Sequence, residues 1–126
     1  MKTIIKTDKA PAPIGPYNQA VIANGVLYVS GQIPLDPATG ELVSGSIEEE
    51  TEMVMKNLQA ILEAANTSFD AVIKCSIFIS DMGQFGQINA VYGNYFGEDA
   101  PARECVEVSQ LPKGVNVEIS CMALVS

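Results

Sequence analysis

The sequence predicts an α+β fold, with two helices on one face of a mixed sheet of six strands. Three observations predict it. Asn24-Gly25 sits between two β-prone runs and is a two-residue hairpin signal. Val54, Leu58, Ile61, Leu62 and Ala65 recur at helical spacing. Residues 115–125 alternate with the period of two that belongs to a strand. At 126 residues the chain can bury one core without staples and reads as a single domain, 1–126.

Taken in order, residues 3–6 are short and β-prone. Pro11 to Pro16 holds too many prolines for a helix or a central strand and reads as an extended loop. Tyr17–Ala23 and Val26–Ser30 form the hairpin around Asn24-Gly25, a pair suited to the positive φ of a type I′ turn. Pro34–Gly45 is a loop. Ser46 is an N-cap, with Glu48, Glu49 and Glu50 favourably placed in the first helical turn and an end near Asn66. Ala71–Ser80 is a β-branched strand. Asp81 can cap a second helix whose stripe is Phe85, Ile88, Tyr92 and Tyr95 or Phe96, closed by Gly97 and Pro101. Arg103–Ser109 and Val115–Val125 are strands separated by a Leu111–Gly114 turn. Each helix lies between strands, which gives two consecutive β-α-β units.

Composition narrows the chemistry. There is no His, which excludes Ser-His-Asp and Cys-His constellations and His-ligated zinc or haem within one chain. Acid–base work falls to carboxylates, Tyr, Lys, Cys or water. The net charge of −8 argues against broad capture of nucleic acid or anionic membranes. Cys75, Cys105 and Cys121 are odd in number and widely spaced, so neither a disulfide framework nor a metal site is expected. A reducing compartment fits them, and the first residues lack the pattern of a signal or transit peptide. A cytoplasmic protein is expected.

Alternation assigns faces in the last two strands. Val115, Val117, Ile119, Cys121, Ala123 and Val125 share one face; Asn116, Glu118, Ser120, Met122 and Leu124 share the other. The second, half-polar face suits a subunit interface with a site in it, or else is a solvated face with two stray apolar residues. Arg103 is the only arginine. Its planar fork can grip a carboxylate, or it can pair with Glu104, Glu107 or Glu118 at the surface. Glu118 interrupts a Val/Ile-rich strand, either on a wet face or partly buried with a raised pKa. Cys105 has no His to activate it, so a non-nucleophilic role is favoured; Cys75 and Cys121 read as core. Gly31 after Ser30 permits close backbone approach or is a simple strand exit. Tyr17 can be a lid or merely pack, and Asn89 can donate to a ligand or sit exposed on its helix.

Four separated segments resemble the RidA (YjgF) family of enamine/imine deaminases, from about Ala10 to Leu124. They are Ala12–Tyr17, Val29–Pro34, Ile88-Asn89 and, most specifically, Pro101–Ile119 with its Pro-Ala-Arg opening and later Glu. The resemblance implies a chorismate-mutase-like, RidA-like fold and a homotrimer with sites between subunits. It implies hydrolysis of 2-aminoacrylate, or its 2-iminopropanoate tautomer, and related imines to 2-oxo acids and ammonia, without cofactor or metal. It gives the catalytic set as Arg103, holding the substrate carboxylate; Glu118, orienting water; and Cys105, contacting the nitrogen chiefly through its backbone. Tyr17, Ser30, Gly31 and Asn89 would complete the pocket, with Phe85 as an apolar wall. Glu104 departs from the family, which more often has a small or hydroxyl residue there; alternation points it away from Arg103. The alternatives are a non-catalytic trimer that binds 2-oxo acids or regulates a partner, and an RNA-directed role that the charge disfavours.

Overall fold

The computed structural model describes residues 1–126. Its strands are β1 (Thr3–Ile5), β2 (Ala20–Ala23), β3 (Val26–Gln32), β4 (Val72–Ile79), β5 (Ala102–Glu107) and β6 (Val117–Leu124). They form one sheet in the order β1-β2-β3-β6-β4-β5. Helices α1 (Ile47–Ala64) and α2 (Phe85–Gly93) pack on one face of it. Only the β4–β5 pair is parallel. Both β-α-β units are present, because β3, β4 and β5 run the same way. In the first unit, however, β6 inserts between β3 and β4 and pairs antiparallel with both. No helix is long and apolar enough to cross a membrane.

Local signals explain the elements. Asn24 and Gly25 have φ of 51° and 78°, and Ala23 pairs with Val26, so the turn is the expected two-residue hairpin. The Ser46 hydroxyl accepts from Glu49 N–H at 3.1 Å and caps α1. Asn66, at φ 59°, ends it: Asn66 N–H donates to Glu63 O and Thr67 N–H to Leu62 O, both at 3.0 Å, a Schellman closure. Val54, Leu58, Ile61 and Leu62 are fully buried against Leu27, Ile77, Val117 and Ile119. Burying each such side chain contributes about 1.5–3 kcal/mol. The alternation expected for the last strand holds: Val117, Ile119, Cys121 and Ala123 are buried under the helices, while Glu118, Ser120, Met122 and Leu124 are not.

Beyond shifts of one or two residues at strand ends, three boundaries differ from the sequence reading. Tyr17–Gln19 lie outside β2, although Gln19 O still accepts from Ser30 N–H at 2.9 Å, and the buried Gln19 side-chain amide turns to the preceding loop. It accepts from Thr7 N–H at 2.7 Å, and its Nε2 lies 2.9–3.2 Å from the carbonyls of Thr7, Ala10 and Pro11. This one side chain pins the proline-rich loop. Helix α2 stops at Gly93, and Tyr95 and Phe96 leave its axis to stack on Phe69. Asp81 caps a short 3₁₀ turn before α2 rather than α2 itself.

Candidate active site

The first half of the site is built around Arg103. Arg103 lies opposite the buried Cys75 in the β4–β5 register, so its side chain points to the helix-covered face. There the guanidinium carbon sits 5.4 Å from the Phe85 ring centroid and 5.1 Å from that of Tyr92, and Nη1 donates to Asn89 Oδ1 at 2.6 Å. No carboxylate pairs with it; the ion pair in the neighbourhood is Lys74–Glu104 at 3.0 Å, on the opposite face. The surface ion pair that acidic neighbours suggested for Arg103 is therefore not what forms. The guanidinium borders an open cavity of about 360 Å³ lined also by Asn89, Tyr92, Phe96 and Pro101. A larger open hollow of about 590 Å³, beside Thr7 and Gln19, holds none of these groups.

Cys105 belongs to the same half. Its side chain leans on the core, where burial pushes the thiol up and Arg103 offsets this only partly. A thiol in that state is a poor nucleophile near neutral pH. Its backbone is more available. Val108 N–H bonds back to Ile79 O at 2.9 Å, so by alternation the backbone groups of Arg103 and Cys105 face out from the sheet edge.

The second half is built around Glu118. Its partner in the β4 register is Phe78, on the face the helices leave open. Burial raises its carboxyl pKa, with no cation to counter it. The neighbouring strand makes room: between Val29 and Gln32 the β3–β6 register shifts, with Ser30 and Gly31 in the bulge. A Cβ at Gly31 would stand 2.8 Å from Glu118 Cδ, closer than real Cβ contacts allow. Gly31 is thus required by the carboxylate that lies over it. The Ser30 hydroxyl donates to Asn18 O at 2.6 Å, which fastens the Tyr17 segment to the bulge. Tyr17 is half-exposed and shares a narrow cleft of about 40 Å³ with Gly31, Ile33 and Lys113.

The predicted residues thus fall into two groups. Arg103, Cys105, Phe85 and Asn89 converge on one side of the sheet; Tyr17, Ser30, Gly31 and Glu118 converge on the other. Arg103 and Glu118 do not meet within one chain, because the sheet separates them. Sequence reasoning placed Tyr92 only in a helix stripe and missed it as a wall of the arginine slot. It also missed Gln19, whose signal was a polar residue at the entry to an apolar strand. No group of three or more Cys, Asp or Glu converges as a metal-ligand set.

Known proteins can be compared with this geometry. The family described as Endoribonuclease L-PSP matches residues 7–125. A RutC family protein of Pyrococcus horikoshii is 52% identical over 123 residues, covering 98% of both chains. The mouse 2-iminobutanoate/2-iminopropanoate deaminase is 44% identical over 124 residues, covering 98% of this chain and 92% of its own. The crystal structure of E. coli TdcF with bound serine superposes with a TM-score of 0.92 at 41% identity, over 98% of this chain and 99% of that one.

Proposed function

Since the chain belongs to the endoribonuclease L-PSP family, which is the YjgF/RidA family, we propose that it is a hydrolytic deaminase of 2-imino acids. Its substrates are 2-aminoacrylate, its tautomer 2-iminopropanoate, and 2-iminobutanoate; its products are 2-oxo acids and ammonia. The observation that carries this reading is the single arginine, held by aromatic faces beside an open cavity with no carboxylate of its own. A fixed, unpaired guanidinium suits a small carboxylate ligand. A relative solved with serine, itself a small carboxylate with an adjacent nitrogen, supports the same ligand class.

The reaction needs orientation more than a strong nucleophile. An iminium carbon beside a carboxylate is already electrophilic. Arg103 holds the carboxylate and so fixes that carbon. Glu118 holds the water, takes a proton as the oxygen adds, returns it to nitrogen, and takes the carbinolamine's hydroxyl proton as the C–N bond breaks and ammonia leaves. A carboxyl raised by burial is suited to exchange that proton nearer neutrality. Outward-facing backbone groups at Cys105 can meet the substrate nitrogen.

Because Arg103 and Glu118 lie on opposite faces, a second copy of the chain must complete each site, and we take the assembly to be a homotrimer. The open face supports this, since Tyr28, Met122 and Leu124 sit there beside Ser76 and Ser120. The family description names an endoribonuclease, but a net charge of −8 and one slotted arginine do not favour phosphate capture. A cytoplasmic site of action fits the three free thiols.

The test supplies 2-aminoacrylate in situ from a serine dehydratase and follows pyruvate. The wild-type protein should accelerate its release, and Arg103→Ala should lose about a hundredfold or more in kcat/KM while remaining folded. No acceleration over buffer, with ligand-dependent thermal stabilisation retained, would replace the enzyme with a 2-oxo-acid-binding protein.

A further inference from the structure

We propose that Tyr92 is a positioning residue: the face of its ring fixes Arg103 so that the guanidinium's remaining donors stay free for the substrate carboxylate. The proposal rests on Arg103 being the carboxylate anchor. A flexible arginine chain can be held in two ways. Hydrogen bonds hold it firmly but consume the N–H groups a ligand needs. Aromatic faces hold it through the ring quadrupole and consume none. Here a single N–H goes to Asn89, and two ring faces, Phe85 and Tyr92, supply the rest of the grip.

Of the two rings, Tyr92 is the fixed one. Phe85 stands at the start of α2 and is partly exposed, whereas Tyr92 is buried. Tyr92 stacks on Phe96 at 4.8 Å, Phe96 on Phe69 at 5.4 Å, and Phe69 on Tyr95 at 5.1 Å. The Tyr95 hydroxyl then donates to Glu52 on α1. The aromatic chain therefore ties the slot to the longest helix, and Tyr92 cannot swing away from Arg103 without disturbing it. The Tyr92 hydroxyl adds nothing to this grip. It is buried against the Cys75 thiol. The ring, rather than the hydroxyl, is what the slot uses.

This separates Tyr92 from an ordinary core residue, and fluorination tests it. Replacing Tyr92 by Phe, then by 4-fluoro-, 3,5-difluoro- and pentafluorophenylalanine, changes the ring's electrostatics while nearly preserving its shape. Tyr92→Phe should keep both KM and kcat within about twofold, and KM should climb about tenfold across the series with kcat little changed. Because Arg103 is the only arginine, its Nε–H gives a single NMR signal in that class. That signal should be shifted by the rings in the wild type and in Tyr92→Phe, and should move toward the free-chain position in Tyr92→Leu. Pyruvate affinity, by calorimetry, should fall in parallel with the rise in KM. A flat KM series in an active enzyme, or an Nε–H signal indifferent to Tyr92→Leu in a folded protein, overturns the proposal and leaves the deaminase reading intact. Absence of both turnover and pyruvate binding in the wild type overturns the anchor reading, and this proposal with it.

Discussion

The two halves of the site hold their charges in opposite ways. On the helix-covered face, Arg103 is gripped by Phe85, Tyr92 and Asn89. On the open face, Glu118 is gripped by nothing: the chain supplies only space, by omitting a side chain at Gly31 and bulging the backbone beside it. The difference suits the two roles proposed for them. A cation that must always be charged is given π faces, which cost it no donors. The carboxylate, which in the proposed reaction gains and loses a proton, has partial burial and no cation, which brings its two states closer in energy.

The largest expected effect breaks the comparison outright. Arg103→Ala and Glu118→Gln should each be nearly inactive alone. Reassembled together at equal amounts, they should regain about a quarter of wild-type activity, the share of sites with both intact halves under random mixing of a symmetric oligomer. Chains that each held a whole site would regain nothing. Next comes the clearance itself. Gly31→Ala should displace the Glu118 carboxylate and cost about a hundredfold in kcat, and combining it with Glu118→Gln should add little further loss, since both remove one function. Equal and additive losses would separate Gly31 from Glu118.

A smaller effect concerns stability. The folded-state pKa of Glu118 is raised, so the folded chain holds a proton that the unfolded chain releases first. Its contribution therefore falls as pH rises from the ordinary carboxylate range through the raised value. Glu118→Gln should melt higher than wild type above that window and converge with it below; thermal melts across pH would show this, and a constant difference would place the burial elsewhere. The smallest effect is expected at Cys105. If the backbone makes the contact, Cys105→Ser should change kcat/KM by less than about threefold. A loss as large as that of Glu118→Gln would give the thiol a direct part.

The sequence carried those features whose causes are local. The Asn24-Gly25 turn, the Ser46 cap, the Asn66 ending and the alternation through Glu118 each depend on a few adjacent residues. The order of strands did not, because β6 reaches its place between β3 and β4 only through pairings distant in sequence. The same limit applied to Arg103. With acidic residues on either side, a surface ion pair was the natural reading, and only the packing of α2 against β5 shows aromatic rings there instead. Gln19 was invisible for a related reason: its partners are backbone carbonyls of a loop whose path no local signal gives. The assignment of roles to Arg103, Glu118 and Cys105 came from resemblance, and local physics supplied only their faces.

The sheet standing between Arg103 and Glu118 has a consequence for dilution. Under the proposed arrangement, in which a second copy completes each site, a single chain carries both groups and no finished site. Specific activity then ceases to be a constant of the molecule and becomes a function of its concentration, vanishing below the dissociation constant of the assembly. Losses of activity on dilution would register dissociation before any unfolding began.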